Sequence, residues 1–491
     1  MPAILLLLLL LASLSAAGML IPPFEPMQAE LFAARGALAN AWADIDGDGD
    51  LDLFVGFNGA PNRLYVNDGG VFADRAAAAG IADARPTRAA AWGDYDRDGD
   101  VDLLVGFTPG AGSVLRLYRN DGARFSDVTA AAGLEVDSAA VRQPSWIDVD
   151  GDGDLDLFVA FRDRANALFR NEAGRFTDVA ERLGLADERR SVGAVWLDYD
   201  EDGDPDVVVG NMDGDANGIF RNDDGQFTDV AAAAGLEWGG RAPGDAANGT
   251  VRPCAADVDG DGRLDLFFAN YGPNGLFLNR GGGRFVNASA AWGIAIDGRY
   301  DTCAFADIDH DGRLDLYVNG TVTGGVSHPD YLFHNTGAAF RDETPAGIRE
   351  LAASHGAQWA DADGDGDVDL ALAGVAPGAT HSLLRNLVAR SDTTRSIQVH
   401  VVGVRGSAVT GAEVRVYRAG GRTLLGTRLV DTGSGYNSQS VQPVHIGVAD
   451  APAVDIEVIV PGPGSRRPTR LDGVTVPAGD PVLVTVRVPS P

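Results

Sequence analysis

The chain has 491 residues, 45% of them hydrophobic, and a formal net charge of −31. That length leaves room for more than one domain, and that apolar content excludes a disordered chain. It contains no lysine and no basic stripe, which argues against nucleic acid as a partner.

The first 17 residues read as an export signal. Ile4 to Leu11 is a short apolar core, and Ser15-Ala16-Ala17 offers small residues for cleavage before Gly18. A membrane anchor is the competing reading, but this run is shorter than the ~20 residues a span needs. Secretion, into the periplasm or the extracellular space, is the expected destination.

From Asp44 the chain repeats itself. Asp44-Ile45-Asp46-Gly47-Asp48-Gly49-Asp50-Leu51-Asp52 places carboxylates at positions 1, 3, 5 and 9, with a glycine at 6. The pattern returns at Asp94, Asp148, Asp198, Asp257, Asp307 and Asp361, at intervals of 50, 54, 50, 59, 50 and 54 residues. A period of that size signals a solenoid or a propeller.

Four strand-like pieces fit each repeat. The first ends in an aromatic: Trp42, Trp92, Trp146, Trp196, Phe305 and Trp359, with Ala255 the exception. The second follows the Asp loop, as in Leu51 to Phe57. The third ends on Asn (Asn67, Asn120, Asn171, Asn222, Asn279, Asn335 and Asn386), read as a hairpin turn signal. The fourth carries a lone Phe: Phe72, Phe125, Phe176, Phe227, Phe285 and Phe340.

The seventh such Phe stands at the other end of the chain, in Pro23-Phe24-Glu25-Pro26. A ring of blades must close, because an open one leaves sheet edges unpaired. The expectation is an all-β chain: a seven-bladed β-propeller over residues 22–389, latched by a strand from the N-terminus. Residues 390–396 read as a linker. Residues 397–488, rich in alternating Val with Gly and Pro turns, read as a small β-sandwich.

The Asp loops suit a hard divalent cation, above all Ca²⁺, which takes six to eight oxygen ligands. Metal-free acidic turns would force like charges together at a cost. A helical EF-hand fails, because position 12 is Val55, Val105 or Val159 inside a strand where that motif needs Glu. Up to seven Ca²⁺ are expected, one per repeat, offsetting nearly half of the net charge.

The candidate ligands are Asp44, Asp46, Asp48, Asp50 and Asp52; Asp94, Asp96, Asp98, Asp100 and Asp102; Asp148, Asp150, Asp152, Asp154 and Asp156; and Asp198, Asp200, Asp202, Asp204 and Asp206. The last three loops add Asp257, Asp259, Asp261, Arg263 and Asp265; Asp307, Asp309, Asp311, Arg313 and Asp315; and Asp361, Asp363, Asp365, Asp367 and Asp369. Position 7 contributes only its backbone carbonyl, so Arg263 and Arg313 are tolerated there.

Cys254 and Cys303 precede loops five and six in strands of adjacent blades. They form either one disulfide or two buried free thiols. No catalytic signature stands out among seven His, with His310 read as solvated within its loop and His445 as packed. Gly433-Ser434-Gly435 reads as a turn.

The loops, the strand after them and the Phe strand together resemble FG-GAP (VCBS-type) repeats. Gly411 to Val414, Gly433 to Ser440 and His445 to Val448 resemble the ASPIC/UnbV domain, a combination similar to the cartilage acidic protein family. The resemblance implies a secreted, calcium-binding, adhesive or matrix-type protein, not an enzyme, that binds an extracellular protein or glycan. A calcium-dependent polysaccharide lyase is the alternative. It would need an acid and a base at the central channel, where Arg142, Arg252, Tyr300 and His355 are the candidates.

Overall fold

The computed structural model describes residues 21–491 apart from 111, 123, 324, 352, 353, 375–378, 390, 392, 404, 463–467, 480, 490 and 491. The export signal read over residues 1–17 lies outside the described residues.

The fold is all-β and propeller-like. In the first repeat, strands Ala37–Ala43, Asp52–Phe57, Arg63–Asp68 and Val71–Asp74 form one antiparallel meander. Among the described residues seven such four-stranded units recur. The inner strands adjoin in order, and Ser354–Ala360 of the last unit returns to Ala37–Ala43 of the first. A further pairing of Tyr271 with Arg299 joins the fifth and sixth units into one sheet.

The last unit takes its outer strand from the N-terminus. Phe24–Pro26 pairs with Ser382–Asn386, Phe24 opposite Asn386 and Pro26 opposite Leu384. The displaced Phe thus completes the sheet it was missing from. Phe24 packs against Trp359 at 6.1 Å between ring centroids.

Ring closure also rests on His381. Tyr65 Oη lies 2.7 Å from its Nε2, and its Nδ1 lies 3.0 Å from the carbonyl of Ala34. Both ring nitrogens are satisfied in the neutral tautomer, with Nδ1 donating and Nε2 accepting. Burial pushes its pKa down to about 4. A histidine depressed on folding takes up its proton more readily in the unfolded chain, so its contribution is lost as pH falls from about 6.5 towards 4. Between pH 7.5 and 5, wild type should lose about 2 kcal/mol more stability than a His381→Gln variant. Denaturant melts at the two pH values check this, and equal losses would refute it.

The recurrent Asn does more than turn the chain. Asn67 Nδ2 donates to Ala362 O of the preceding unit's Asp loop (2.9 Å), Asn120 to Ile45 O (2.9 Å) and Asn171 to Tyr95 O (2.8 Å). Asn279, Asn335 and Asn386 repeat the bond to Tyr199, Val258 and Ile308. Trp indoles add a second tie between units, as from Trp92 to Ala41 O and from Trp146 to Ala91 O.

Two details differ from the sequence reading. One-turn helices such as Ala76–Ala79 and Ala180–Leu183 follow five of the fourth strands and end on Gly80 and Gly184 in left-handed conformation (φ 89° and 88°). The Ala tract alone carried no such signal, because one turn is too short to show a helical period. The linker is also shorter than 390–396, since Arg395 and Ser396 already belong to strand Arg395–Val402.

Cys254 and Cys303 form a disulfide, with 6.2 Å between their Cα atoms, that staples the inner strands of the fifth and sixth units. Closing 49 residues of chain, it should contribute about 2–4 kcal/mol. Reductant should lower the melting temperature measurably, and an unchanged melt with both thiols alkylated would contradict this.

The C-terminal part packs two sheets around a Val-rich core of Ile397, Val399, Val414, Val416, Ile446 and Val458. One holds Val444–Ala449, Arg395–Val402 and Leu483–Arg487; the other holds Leu424–Leu429, Glu413–Arg418, Ala453–Ile459 and Pro468–Thr475. Between them, residues 431–442 leave the sandwich and enter the ring.

Candidate metal centres and the threaded axis

Each Asp loop joins an inner strand to its neighbour and is pinned by its own carboxylates. Asp44 accepts the amides of Gly47 (2.8 Å) and Gly49 (3.0 Å), and Asp148 those of Gly151 and Gly153 (both 2.9 Å). Position 9 bridges two strands. The two oxygens of Asp52 accept the amides of Ile45 (2.9 Å) and Asn67 (2.8 Å). The same pair of amides meets Asp102, Asp156, Asp206, Asp265, Asp315 and Asp369.

The carboxylates converge. Oxygens of Asp44, Asp46 and Asp48 lie within 4.8 Å of one another, as do those of Asp94, Asp96 and Asp102, of Asp148, Asp150 and Asp156, and of Asp198, Asp200 and Asp206. In the sixth loop His334 joins Asp309 and Asp311. This histidine was not singled out from the sequence. It holds the place that Arg170 and Arg385 hold in other repeats, where they pair with Asp150 and Asp363.

Position 7 side chains reach the adjoining hairpin, and Arg263 and Arg313 also pair with the position 5 carboxylates Asp261 and Asp311 of their own clusters. Asp50 accepts the amide of Gly69 (2.6 Å), Asp154 pairs with Arg97 (2.6 Å), and Arg263 and Arg313 donate from Nε to Asn279 O and Asn335 O. Variation there is tolerated because the side chain serves the adjoining hairpin.

The donor set fits a hard cation. One oxygen each of Asp96, Asp200, Asp259, Asp307 and Asp361 is buried with no hydrogen-bond partner among the described residues. A buried carboxylate oxygen left so is costly unless something compensates it. Burial pushes position 9 carboxyls up, Asp52 to about 7 and Asp102, Asp156 and Asp265 to about 8, with Asp206, Asp315 and Asp369 also well above the usual range. A dication in these oxygen-rich clusters would offset that cost.

The C-terminal part covers this face. Ser407 Oγ donates to Asp94 (2.5 Å), Gln398 Nε2 to Asp361 (2.5 Å) and the Gly447 amide to Asp307 (3.0 Å). Arg428 stands 3.7 Å from Asp307, and Arg415 3.6 Å from Glu201. A Cβ on Gly447 would lie 2.2 Å from Asp307 Oδ2, so only glycine permits this approach. His310, read as solvated, is 2% exposed instead. The docked domain encloses it, with its Nδ1 near Thr394 O (3.1 Å) and its ring 5.0 Å from His445.

Residues 431–442 run along the ring axis. Thr432 Oγ1 accepts the Trp196 amide (3.0 Å) and donates to the Trp196 carbonyl (2.8 Å). Gln439 accepts from the Trp146 amide (2.6 Å) and donates to Trp146 O and Asp431 O (both 3.0 Å). Ser440 Oγ accepts from the Trp42 amide (3.0 Å) and bonds Gln358. Ser438 and Gln439 pair in parallel with Ala90 and Ala91.

Gly433 (φ 143°) sits where a Cβ would lie 3.0–3.1 Å from Ala194 O, Gln143 Nε2 and Arg252 Nη2. The Gly433-Ser434-Gly435 turn is therefore the part of the chain thin enough to thread the axis. The four channel candidates are thereby separated. Arg252 is 1% exposed, bonded to Gln143 beneath the threaded segment, and Tyr300 is 2% exposed. Arg142, itself buried, and His355 lie at the far end, around Tyr436.

A model of the FG-GAP-like repeat matches residues 44–105, 148–209, 198–268 and 257–318, and a model of ASPIC and UnbV matches residues 405–474. Cartilage acidic protein 1 of Xenopus tropicalis is 25% identical over 319 residues, 62% of this chain. The chain spans about two fifths of the length of that curated relative (39%). An Agrocybe aegerita lectin, solved for recognition of non-reducing terminal N-acetylglucosamine, is 18% identical with a TM-score of 0.40, covering 69% of this chain and 85% of its own. The rhamnogalacturonan lyase YesW is 14% identical with a TM-score of 0.38, covering 72% of each chain. Among the described residues no helix is long and apolar enough to cross a membrane. The chain carries FG-GAP-like repeats and a C-terminal ASPIC and UnbV domain.

Proposed function

We propose that the protein is an exported binding module, without catalytic activity, whose repeats are each stapled by Ca²⁺. Its partner is an extracellular protein or glycan. The observation that carries the reading is the division of labour between the two faces of the ring. The Asp loops and one mouth of the axis are covered by the chain's own C-terminal part. The opposite mouth is left to a partner.

In each loop, positions 1, 3, 5 and 9 would hold the ion by side-chain oxygens and position 7 by its carbonyl, as in Asp44, Asp46, Asp48, Asp50 and Asp52. Calcium supplies positive charge where carboxylates crowd, and so holds each loop in shape. Free Ca²⁺ outside the cell is high enough for sites of millimolar to sub-millimolar affinity, which agrees with export.

The channel supports binding better than catalysis. Arg252 and Tyr300 are sealed from solvent, so neither is presented to a substrate there. The mature chain, starting at Gly18 and held in Ca²⁺, should retain a specific partner from an array of glycans and extracellular proteins. Release of unsaturated products from uronic-acid polymers would overturn this reading in favour of a lyase.

A further inference from the structure

All seven inner strands are irregular at the mouth away from the Asp loops. The register shifts leave Leu38, Arg88, Val192, Val251 and Asp301 out of the ladder singly, Arg142 together with Gln143, and His355 together with Gly356. A bulge breaks the ladder and re-aims a side chain. Here the bulged residues make a ring around Tyr436 at the tip of the threaded segment.

The ring is not uniform. Leu38, Val192 and Val251 pack with Tyr436 and Met212. Arg88 and Arg142 adjoin on one side, and Arg88 Nη1 donates to Tyr436 Oη (3.2 Å). On another side His355 Nδ1 lies 2.9 Å from Asp301 Oδ2, and the His355 ring is 5.0 Å from that of Tyr436.

The two arginines are unusual in a chain of net charge −31. Neither makes a salt bridge among the described residues, although Asp163 acts on Arg142 from a longer distance. Arg142 is 9% exposed and spends one bond on the Val141 carbonyl (2.9 Å), while Arg88 Nε is buried with no hydrogen-bond partner. Burial and the neighbouring guanidinium push the Arg142 pKa down to about 10, so it remains charged at neutral pH. Other buried arginines also leave nitrogens without partners, but they stand apart from one another: Arg428 faces Asp307, Arg252 bonds Gln143, and Arg241 bonds Asp215 O and Asn217 Oδ1. Two adjacent, unmatched guanidinium groups make a fork for one planar anion.

We infer that this ring is a binding site for a uronate sugar, with its carboxylate on Arg88 and Arg142, its hydroxyls on Asp301 and His355, and its ring against Tyr436. The Asp301 carboxylate selects among anions. It repels a second negative charge but accepts hydrogen bonds from hydroxyls, which matches a ligand with one carboxylate and vicinal hydroxyls. An acidic peptide, with repeated charges and no hydroxyl pair, fits this ring less well. The inference rests on the proposed binding-module reading and names its ligand and its face.

The test uses the full mature chain in Ca²⁺, titrated calorimetrically with uronate-capped oligosaccharides, their neutral hexose counterparts and an oligo-glutamate peptide. Uronate caps should bind at least tenfold more tightly than neutral ones. Arg88→Gln and Arg142→Gln should each weaken uronate binding at least tenfold, leaving melting temperature and calcium content as in wild type. Arg88 is half-buried, so its variant serves should Arg142→Gln fail to fold. Equal affinity for uronate and neutral caps, or unchanged affinity in Arg88→Gln, would overturn the proposal, as would tighter binding of the peptide. Loss of uronate binding alone, with calcium retained and another partner captured on the array, would sink this site and leave the binding-module reading standing.

Discussion

Chelation should lower the melting temperature of this protein by about 10 °C, and Ca²⁺ in excess should restore it. At ~1 mM free Ca²⁺ and a Kd of ~0.1 mM, one site stabilises the fold by about 1.4 kcal/mol. Seven independent sites approach ~10 kcal/mol, as much as the net stability of a whole domain. Unfolding entropy grows by ~2 cal/mol/K per residue, so a folded chain of this length shifts about 1 °C for each kcal/mol. The five buried carboxylate oxygens without partners act in the same direction, since removing the ion leaves them uncompensated. The comparison is a calorimetric scan in EDTA, in EDTA with excess Ca²⁺, and in EDTA with excess Mg²⁺. Mg²⁺ should restore little, because it demands near-ideal octahedral geometry and keeps its waters.

Replacing residues 432–441 by a Gly/Ser segment of equal length should uncouple the two parts of the molecule. The wild type should melt in one transition and the variant in two. The threaded segment supplies hydrogen-bond partners to the amides of Trp42, Trp146 and Trp196 through Ser440, Gln439 and Thr432. Each buried amide left without a partner costs ~1–3 kcal/mol unless water reaches it. Asp431, which accepts from Gly433, Ser434 and Ser440, also provides the charge nearest the sealed Arg252. With that order gone, small-angle scattering should report a larger radius of gyration, and protease should cut between residues 387 and 394. An unchanged single transition would show that docking on the Asp loops alone suffices.

The sequence made the ring legible because its signals are repeated. Seven Asp loops, six Phe strands and a seventh Phe near the N-terminus are enough to infer closure, and Phe24 pairs where closure requires it. The converging carboxylates were legible for the same reason, as oxygen-bearing side chains at fixed spacing. The recurrent Asn was visible but under-read. Its turn role is local, whereas its bond to the preceding repeat spans as many as 295 residues.

The threaded axis was not legible. Gly433-Ser434-Gly435 looks like any turn, and the groups it meets, Ala194, Gln143 and Arg252, lie far away in the chain. His310 was misplaced for a related reason: nothing near it in sequence shows that Thr394 and His445 close over it. The ring around Tyr436 depends on bulges, which no residue pattern announces when the bulged position is Leu, Arg, Val, Asp or His by turns.

The claim that calcium staples every repeat is tested most directly by counting the metal. The mature chain, purified in Ca²⁺ and dialysed against metal-free buffer without chelator, should carry close to seven calcium ions per chain by atomic emission, with the count falling by about one in Asp96→Asn/Asp102→Asn. A content well below one ion per chain, in protein that keeps its wild-type melt in EDTA, would contradict the account.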